Sequence, residues 1–221
     1  MIKFRRWKKK YKNLFTSKKY ILDLLVSVFF FVFVTGFFFK GYLKYYLKTL
    51  DYNPVNDELL NMLPDINLDI IASQYIFVIV LLFLGYTIFF KLEKLPFYIK
   101  TITLLYTAKF IILPTTSLTY PAGAIHESFD TIYNDLFFSG HTAFPVLLYF
   151  ITKDDAKSLR WFFLFSAFVE GITVLLMNLH YTIDVYTAPF FAYGVYHIAK
   201  NIFRHNYKEY DELIGDDLIH A

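Results

Sequence analysis

Residues 21–43, ILDLLVSVFFFVFVTGFFFKGYL, form an apolar run whose length decides the fold class. The hydrocarbon core of a bilayer is about 30 Å thick, and a helix needs about 20 apolar residues to cross it. The run therefore predicts a transmembrane helix. It is longer than the apolar region of a signal peptide, about 7–15 residues, and it lacks a small-residue cleavage site. We expect the chain to retain it as its first span.

Five further apolar segments follow, at about 69–91, 96–118, 136–152, 160–178 and 180–200. The chain of 221 residues is 57% hydrophobic, whereas soluble chains are typically about 45–50% apolar. These features predict an all-α polytopic membrane protein with six transmembrane helices. The chain has no cysteine, which excludes disulfides, thiolate nucleophiles and cysteine-bound metals.

The basic residues are distributed unequally along the chain. Nine of the 22 Lys and Arg residues lie within the first 19 positions, a stretch without any acid. Nine more lie in the segments 91–100 and 153–160 and from Lys200 onward. Because basic residues accumulate on the cytoplasmic side of membrane proteins, both termini are predicted to be cytoplasmic. The basic tail is expected to bind anionic lipid rather than nucleic acid.

This distribution predicts three parts of the chain. Residues 1–20 are expected to form the basic cytoplasmic tail, 21–200 a six-helix membrane catalytic domain, and 201–221 a cytoplasmic C-terminal tail. No repeat or low-complexity tract divides the apolar part.

Two histidines and one aspartate are predicted to meet on the non-cytoplasmic face. His141 lies at the outer start of the fourth span, and His180 opens the sixth, followed by Asp184. Residues four apart share one face of a helix. An aspartate inside a membrane span is costly unless it is paired. A carboxylate that orients one histidine, with a second histidine as acid, is the set that a histidine nucleophile requires.

The backbone and one lysine add to this prediction. The helix N-termini of the fourth and sixth spans offer free N–H groups that suit a phosphate, with Ser139 as N-cap and Gly140 allowing close approach. Lys109 and Glu170 are expected at similar depths in the membrane. We predict that they form an ion pair, with contact between Lys109 and the lipid phosphate as the alternative. A zinc site that includes His126 and Glu127 is a weaker alternative.

The stretch from Asp135 to Thr142 reads D-x3-S-G-H-T, and the stretch from His180 reads H-Y-T-x-D-V. These motifs resemble the type 2 phosphatidic acid phosphatase superfamily, and within it the sphingomyelin synthase-like branch. Two looser matches precede them: Leu63-Pro64-Asp65, and the spacing Tyr106-x2-Lys109-x6-Thr116.

The resemblance implies transfer of a phospho-headgroup from a glycerophospholipid to a lipid acceptor such as ceramide, without a cofactor or metal. His180 would attack the phosphorus and form a phosphohistidine, and Asp184 would orient it. His141 would protonate the leaving lipid hydroxyl and then deprotonate the acceptor, and Asp135 would position His141. Four residues are expected to bind the substrate phosphate: Ser139, Gly140, Lys109 and Tyr106.

Two alternatives stay open. With water as the acceptor, the same site would act as a lipid phosphatase or a phospholipase C. The superfamily's phosphatases have an arginine six residues before the second histidine, a position that Val174 occupies here. We therefore expect a departure from the standard lipid phosphate phosphatases. An alternative of another class is a membrane transporter or scaffold that uses the histidines as proton-linked ligands.

Overall fold

The computed structural model describes residues 11–49, 54–116, 118–125, 135–153 and 157–203. Six long helices run through this part of the chain. We number them in chain order: α1 Lys18–Leu47, α2 Ile70–Phe90, α3 Leu92–Thr115, α4 Gly140–Thr152, α5 Lys157–Leu176 and α6 Thr182–Ile202. They correspond to the six predicted apolar segments, which confirms the all-α fold.

Four of these helices, α1, α2, α3 and α5, are long and apolar enough to cross a bilayer. Helix α6 has 21 residues, or about 30 Å at 1.5 Å per residue, but it carries more polar side chains. Helix α4 has only 13 residues. The chain is thus an integral membrane protein, while six crossings and cytoplasmic termini stay predictions. Residues 1–10 and 204–221, half of the predicted N-terminal tail and most of the C-terminal one, lie outside the described residues.

Helix α4 begins four residues after the start of its apolar segment, directly after the predicted N-cap Ser139. The apolar segment starts at residue 136, but the first helical residue is Gly140. Residues 135–139 are not helical. Their backbone bonds with other parts of the chain instead, through the carbonyl of Phe138 and the N–H of Ser139.

Helix α4 lies at the centre of the bundle, where it packs against both α5 and α6. Gly171 of α5 allows a close approach of the three helices. A methyl group at this position would lie 3.1 Å from Cγ1 of Val185 and 3.3 Å from Oγ1 of Thr142. A residue without Cβ therefore brings α5 against the first turns of α4 and α6.

Helix α1 packs along α3. The ring of Phe39 stacks on that of Phe110 with centroids 3.8 Å apart, and Asp23 forms an ion pair with Lys100. Another face of α1 exposes a row of aromatic side chains, as expected for a surface against lipid: Phe29, Phe33 and Phe37.

The segment before α2 forms hydrogen bonds with the connection between α5 and α6. The N–H of Ile66 donates to the carbonyl of Leu176 at 2.8 Å, and the amide of Asn178 donates to the carboxylate of Asp65 at 2.6 Å. Asn178 has a φ of 52°, a left-handed conformation that asparagine adopts more readily than most residues. These bonds fix the turn that leads into His180.

Candidate active site

His180 and Asp184 form a buried pair at the start of α6. Nδ1 of His180 lies 3.3 Å from Oδ2 of Asp184. His180 is 4% exposed and Asp184 is fully buried. With Nδ1 facing the carboxylate, Nε2 is the ring nitrogen left for chemistry. The predicted i, i+4 contact is present.

The carboxylate of Asp184 also stabilises the first turn of its own helix. Oδ2 accepts the backbone N–H of Tyr181, the N-cap residue, at 3.0 Å. A side chain that both caps the helix and faces the imidazole couples the orientation of His180 to the start of α6.

His141 faces His180 from α4, with ring centroids 6.4 Å apart. Its imidazole lies close to the backbone of Ala72. Ala72 lies in Ile70–Tyr75, a π-helical stretch that opens α2. Such stretches depart from the α-helical hydrogen-bond pattern. The spacing of apolar residues does not predict where they occur or which of their backbone groups can contact other parts of the chain. The sequence did not identify Ala72 as a partner of His141.

Lys109 reaches the beginning of α4 rather than Glu170. Its ammonium group lies 2.9 Å from Oδ1 of Asp135 and donates to the carbonyl of Phe138 at 2.8 Å. The predicted ion pair between Lys109 and Glu170 is wrong, because the non-helical residues before Gly140 bring an acid and a carbonyl within closer reach. Asp135 was expected to position His141, and the structure makes it the counter-ion of Lys109.

Ser139 and Gly140 begin α4 as expected, but the serine hydroxyl does not cap the helix. It accepts a hydrogen bond from the hydroxyl of Thr142 at 3.3 Å. Gly140 lies beside the lysine, since a methyl group there would be 3.5 Å from Nζ of Lys109. The first N–H groups of a helix have no acceptor within it, so this end of α4 combines N–H donors with a cation.

These groups surround a cavity of about 190 Å³. His141, His180, Lys109 and Asp135 supply its charged and titratable lining, together with Tyr106. The rest of its lining is mostly apolar or aromatic and comes from several helices and loops: Phe39, Ile76, Phe110, Tyr120, Gly140, Phe144 and Leu179. The cavity therefore combines a polar end with apolar walls.

The N-terminus of α6 is occupied by another part of the protein. Asp57 accepts the N–H of Thr182 at 2.6 Å and its hydroxyl at 3.0 Å. Burial alone would raise the pKa of Asp57, but hydrogen bonds from Thr182, Leu60 and Leu59 hold that pKa below its ordinary value. The expectation that both helix N-termini serve a phosphate is thus wrong for α6, and only that of α4 borders the cavity.

Asp65 and Val174, two further positions from the motif comparison, contact other protein side chains and do not line the cavity. Asp65 binds Asn178, and Val174 is fully buried in an apolar cluster with Ala72 and Leu179. The sequence singled out none of Asp57, Ala72 or Tyr181, because their roles depend on contacts between distant segments.

The zinc alternative has no support among the residues that the structure describes. That part of the chain contains no group of three or more His, Asp or Glu side chains placed to hold a metal ion. His126 and Glu127 lie outside the described residues.

The fold and the site together define an integral membrane protein in which His141 and His180 line one cavity, with Asp184 paired to His180. Residues 134–201 match a family model described as PAP2 superfamily C-terminal. The match spans α4, α5 and most of α6, including all three of these residues. It supports the type 2 phosphatidic acid phosphatase superfamily and a function of the lipid phosphatase or phosphotransferase type. No curated protein and no solved structure matched the chain.

Proposed function

We propose that the protein is a lipid phosphotransferase that moves a phospho-headgroup from a glycerophospholipid to a lipid acceptor such as ceramide. One observation carries the proposal: His180, held by Asp184, faces His141 across a cavity that also contains Lys109. This arrangement provides a nucleophile, an acid–base group and a cation within one buried space.

In the first half of the reaction, Nε2 of His180 attacks the phosphorus of the donor lipid. The N–P bond forms, and the bond between phosphorus and the diacylglycerol oxygen breaks. His141 gives its proton to that oxygen, so diacylglycerol leaves as a neutral alcohol. Asp184 stabilises the positive charge that develops on His180.

In the second half, the acceptor hydroxyl enters on the side of His141. His141 takes the hydroxyl proton, the new O–P bond forms, and the N–P bond to His180 breaks. The headgroup thereby passes to the acceptor, and both histidines return to their initial protonation states. If water enters in place of the lipid hydroxyl, the same steps amount to hydrolysis.

The charges of the cavity favour a phosphodiester over a phosphate monoester. Among the described lining residues, Lys109 is the single Lys or Arg, and it is already paired with Asp135. A monoester dianion would meet less compensating charge than a diester with one negative charge. The apolar position of Val174 agrees with this preference.

Turnover in proteoliposomes tests the proposal. The full chain is supplied with a phospholipid carrying a ³²P-labelled headgroup, with and without ceramide. Wild type should release diacylglycerol, form a labelled phosphosphingolipid and retain label on the protein. His180→Ala should lose all three. His197→Ala, which alters an exposed histidine about 22 Å along α6 from Thr182, serves as the control. Turnover that survives His180→Ala would contradict the mechanism. Release of a labelled water-soluble product in place of a phosphosphingolipid would identify a hydrolase.

We also propose that the site opens on the non-cytoplasmic face, supported by the 18 basic residues assigned to the opposite side. The lack of cysteine makes single-cysteine labelling unambiguous. Glu58→Cys and Lys157→Cys, both at exposed positions, should react with a membrane-impermeant maleimide from opposite sides of the membrane. Reaction of the residue-58 thiol from the cytoplasmic side would reverse the orientation.

A further inference from the structure

Asp57 connects the segment before α2 to the first residue of α6, 125 positions later in the chain. Its carboxylate accepts hydrogen bonds from the N–H of Thr182 at 2.6 Å, from the Thr182 hydroxyl at 3.0 Å, and from the N–H of Leu60 at 3.1 Å. An anion at this place also complements the positive end of the helix dipole of α6.

The segment before α2 also forms a hydrogen bond with Tyr181, the residue between His180 and Thr182. The hydroxyl of Tyr181 accepts the N–H of Val55 at 3.1 Å and donates to the carbonyl of Thr119 at 3.0 Å. Tyr181 is 2% exposed. The chain from His180 to Thr182 is therefore held by Asp184 from within α6 and by the preceding loops from outside it.

We propose that Asp57 is a positioning residue for His180, a role that rests on the proposed phosphotransferase function. Asp57 does not line the cavity, so it acts through Thr182 and the backbone. Its bonds fix the start of α6, and with it the placement of His180 opposite His141. A shift of about 1 Å between reacting groups can cost about 100-fold in rate, so a partial loss of this anchor should lower kcat.

Asp57→Asn is the decisive variant. Asparagine offers one acceptor oxygen and presents an NH₂ group where the carboxylate now meets N–H donors. We expect kcat to fall about 10-fold with KM for the donor lipid nearly unchanged. Thr182→Val, which removes one donor, should lower kcat in the same direction. Thr182→Ser keeps both donors and should retain the wild-type kcat.

Glu58→Gln is the matched control, because Glu58 is an exposed acid on the same loop that bonds to Asn56. It should leave kcat, KM and thermal unfolding unchanged. All rates are expressed per folded protein, measured by thermal unfolding in the same detergent, so a loss of stability alone does not count as a loss of kcat. A wild-type kcat per folded Asp57→Asn protein would overturn the positioning role.

A second readout needs no turnover. In protein labelled with ¹⁵N-histidine, the imidazole signal absent from His180→Ala belongs to His180. Asp57→Asn should shift this signal, and Glu58→Gln should not. An unchanged signal in Asp57→Asn overturns the positioning proposal whether or not the protein turns lipid over. If the signal shifts as expected in Asp57→Asn but the wild-type protein turns over no lipid, the proposed function is overturned and the positioning role is not.

Discussion

The backbone N–H of Ser139 donates a hydrogen bond to the carbonyl oxygen of Asp184, 3.1 Å away. This bond joins the residue before α4 to the first turn of α6, next to both histidines. Because it uses main-chain atoms on both sides, it survives most side-chain substitutions. The relative placement of His141 and His180 therefore depends on backbone geometry as well as on their side-chain partners.

Ser139→Ala separates these contributions. The substitution keeps the N–H bond to Asp184 and removes the hydroxyl that accepts from Thr142. We expect kcat within about 5-fold of wild type and a loss of about 1 kcal/mol in stability, since one neutral hydrogen bond contributes about that much. Steady-state kinetics and thermal unfolding measure the two effects. A large rise in KM would instead show that the hydroxyl binds the substrate phosphate.

Asp184→Asn should separate catalysis from folding. The amide oxygen can still accept the Tyr181 N–H, so the first turn of α6 should persist. The same oxygen faces Nδ1 of His180, so the imidazole keeps a neutral acceptor but loses the negative charge that stabilises its developing positive charge. We expect kcat to fall by about 100-fold or more with the protein still folded. Asp69→Asn, which alters an acid bonded to Ser73 near the start of α2, provides the comparison and should retain turnover.

Lys109→Met should reduce both stability and substrate binding, and a second substitution can separate the two effects. Loss of the ammonium group leaves Asp135 without its counter-ion and the Phe138 carbonyl without its donor. Asp135 is 28% exposed, so we expect a cost of about 1–3 kcal/mol, below that of breaking a fully buried pair.

Adding Asp135→Asn to Lys109→Met should restore part of the stability, because no unpaired charge then remains. It should not restore KM for the donor lipid if Lys109 binds the phosphate. The experiment combines thermal unfolding with kinetics on Lys109→Met, on Asp135→Asn alone and on the double variant. A double variant with wild-type KM would assign Lys109 a structural role alone.

The sequence predicted the parts of the site that depend on local spacing. Helices appear where the apolar segments are long, and His180 meets Asp184 because residues four apart share one face of a helix. The meeting of His141 with His180 also followed, since the charge distribution and the number of spans placed both on one side. The spacing of residues, the length of the apolar segments and the direction in which each span crosses the membrane are sufficient to predict these contacts.

The partners of these residues depended on information that the apolar pattern does not contain. Matched depth predicts a pair between Lys109 and Glu170, but depth does not specify the direction in which a lysine side chain extends. The non-helical backbone at 135–139 brought Asp135 and a carbonyl to it. Likewise, Ala72 became a partner of His141 through a π-helical stretch, and Asp57 reached Thr182 across a long separation in sequence.

Gly171→Ala tests the close packing beside the site. The added methyl group would meet Val185 at 3.1 Å and Thr142 at 3.3 Å, so α5 must move away from the first turns of α4 and α6. We expect a loss of about 1–3 kcal/mol and a lower kcat. Gly194→Ala in α6 is the matched control, because a methyl group there meets nothing within 4 Å. If the two variants have the same stability and the same kcat, the close contact at Gly171 determines neither quantity.

The bonds to Asp57 should make its contribution to stability depend on pH in a defined direction. The folded-state pKa lies below its ordinary value of 3.8. The carboxylate therefore stabilises the folded state fully above about pH 4, and this contribution is lost as the pH falls through the lower folded-state pKa. The difference in Tm between wild type and Asp57→Asn should be constant from pH 7 to about pH 5 and should shrink below pH 4. A difference that already shrinks between pH 7 and pH 5 would contradict the assignment, because a carboxyl that titrates there has a raised pKa.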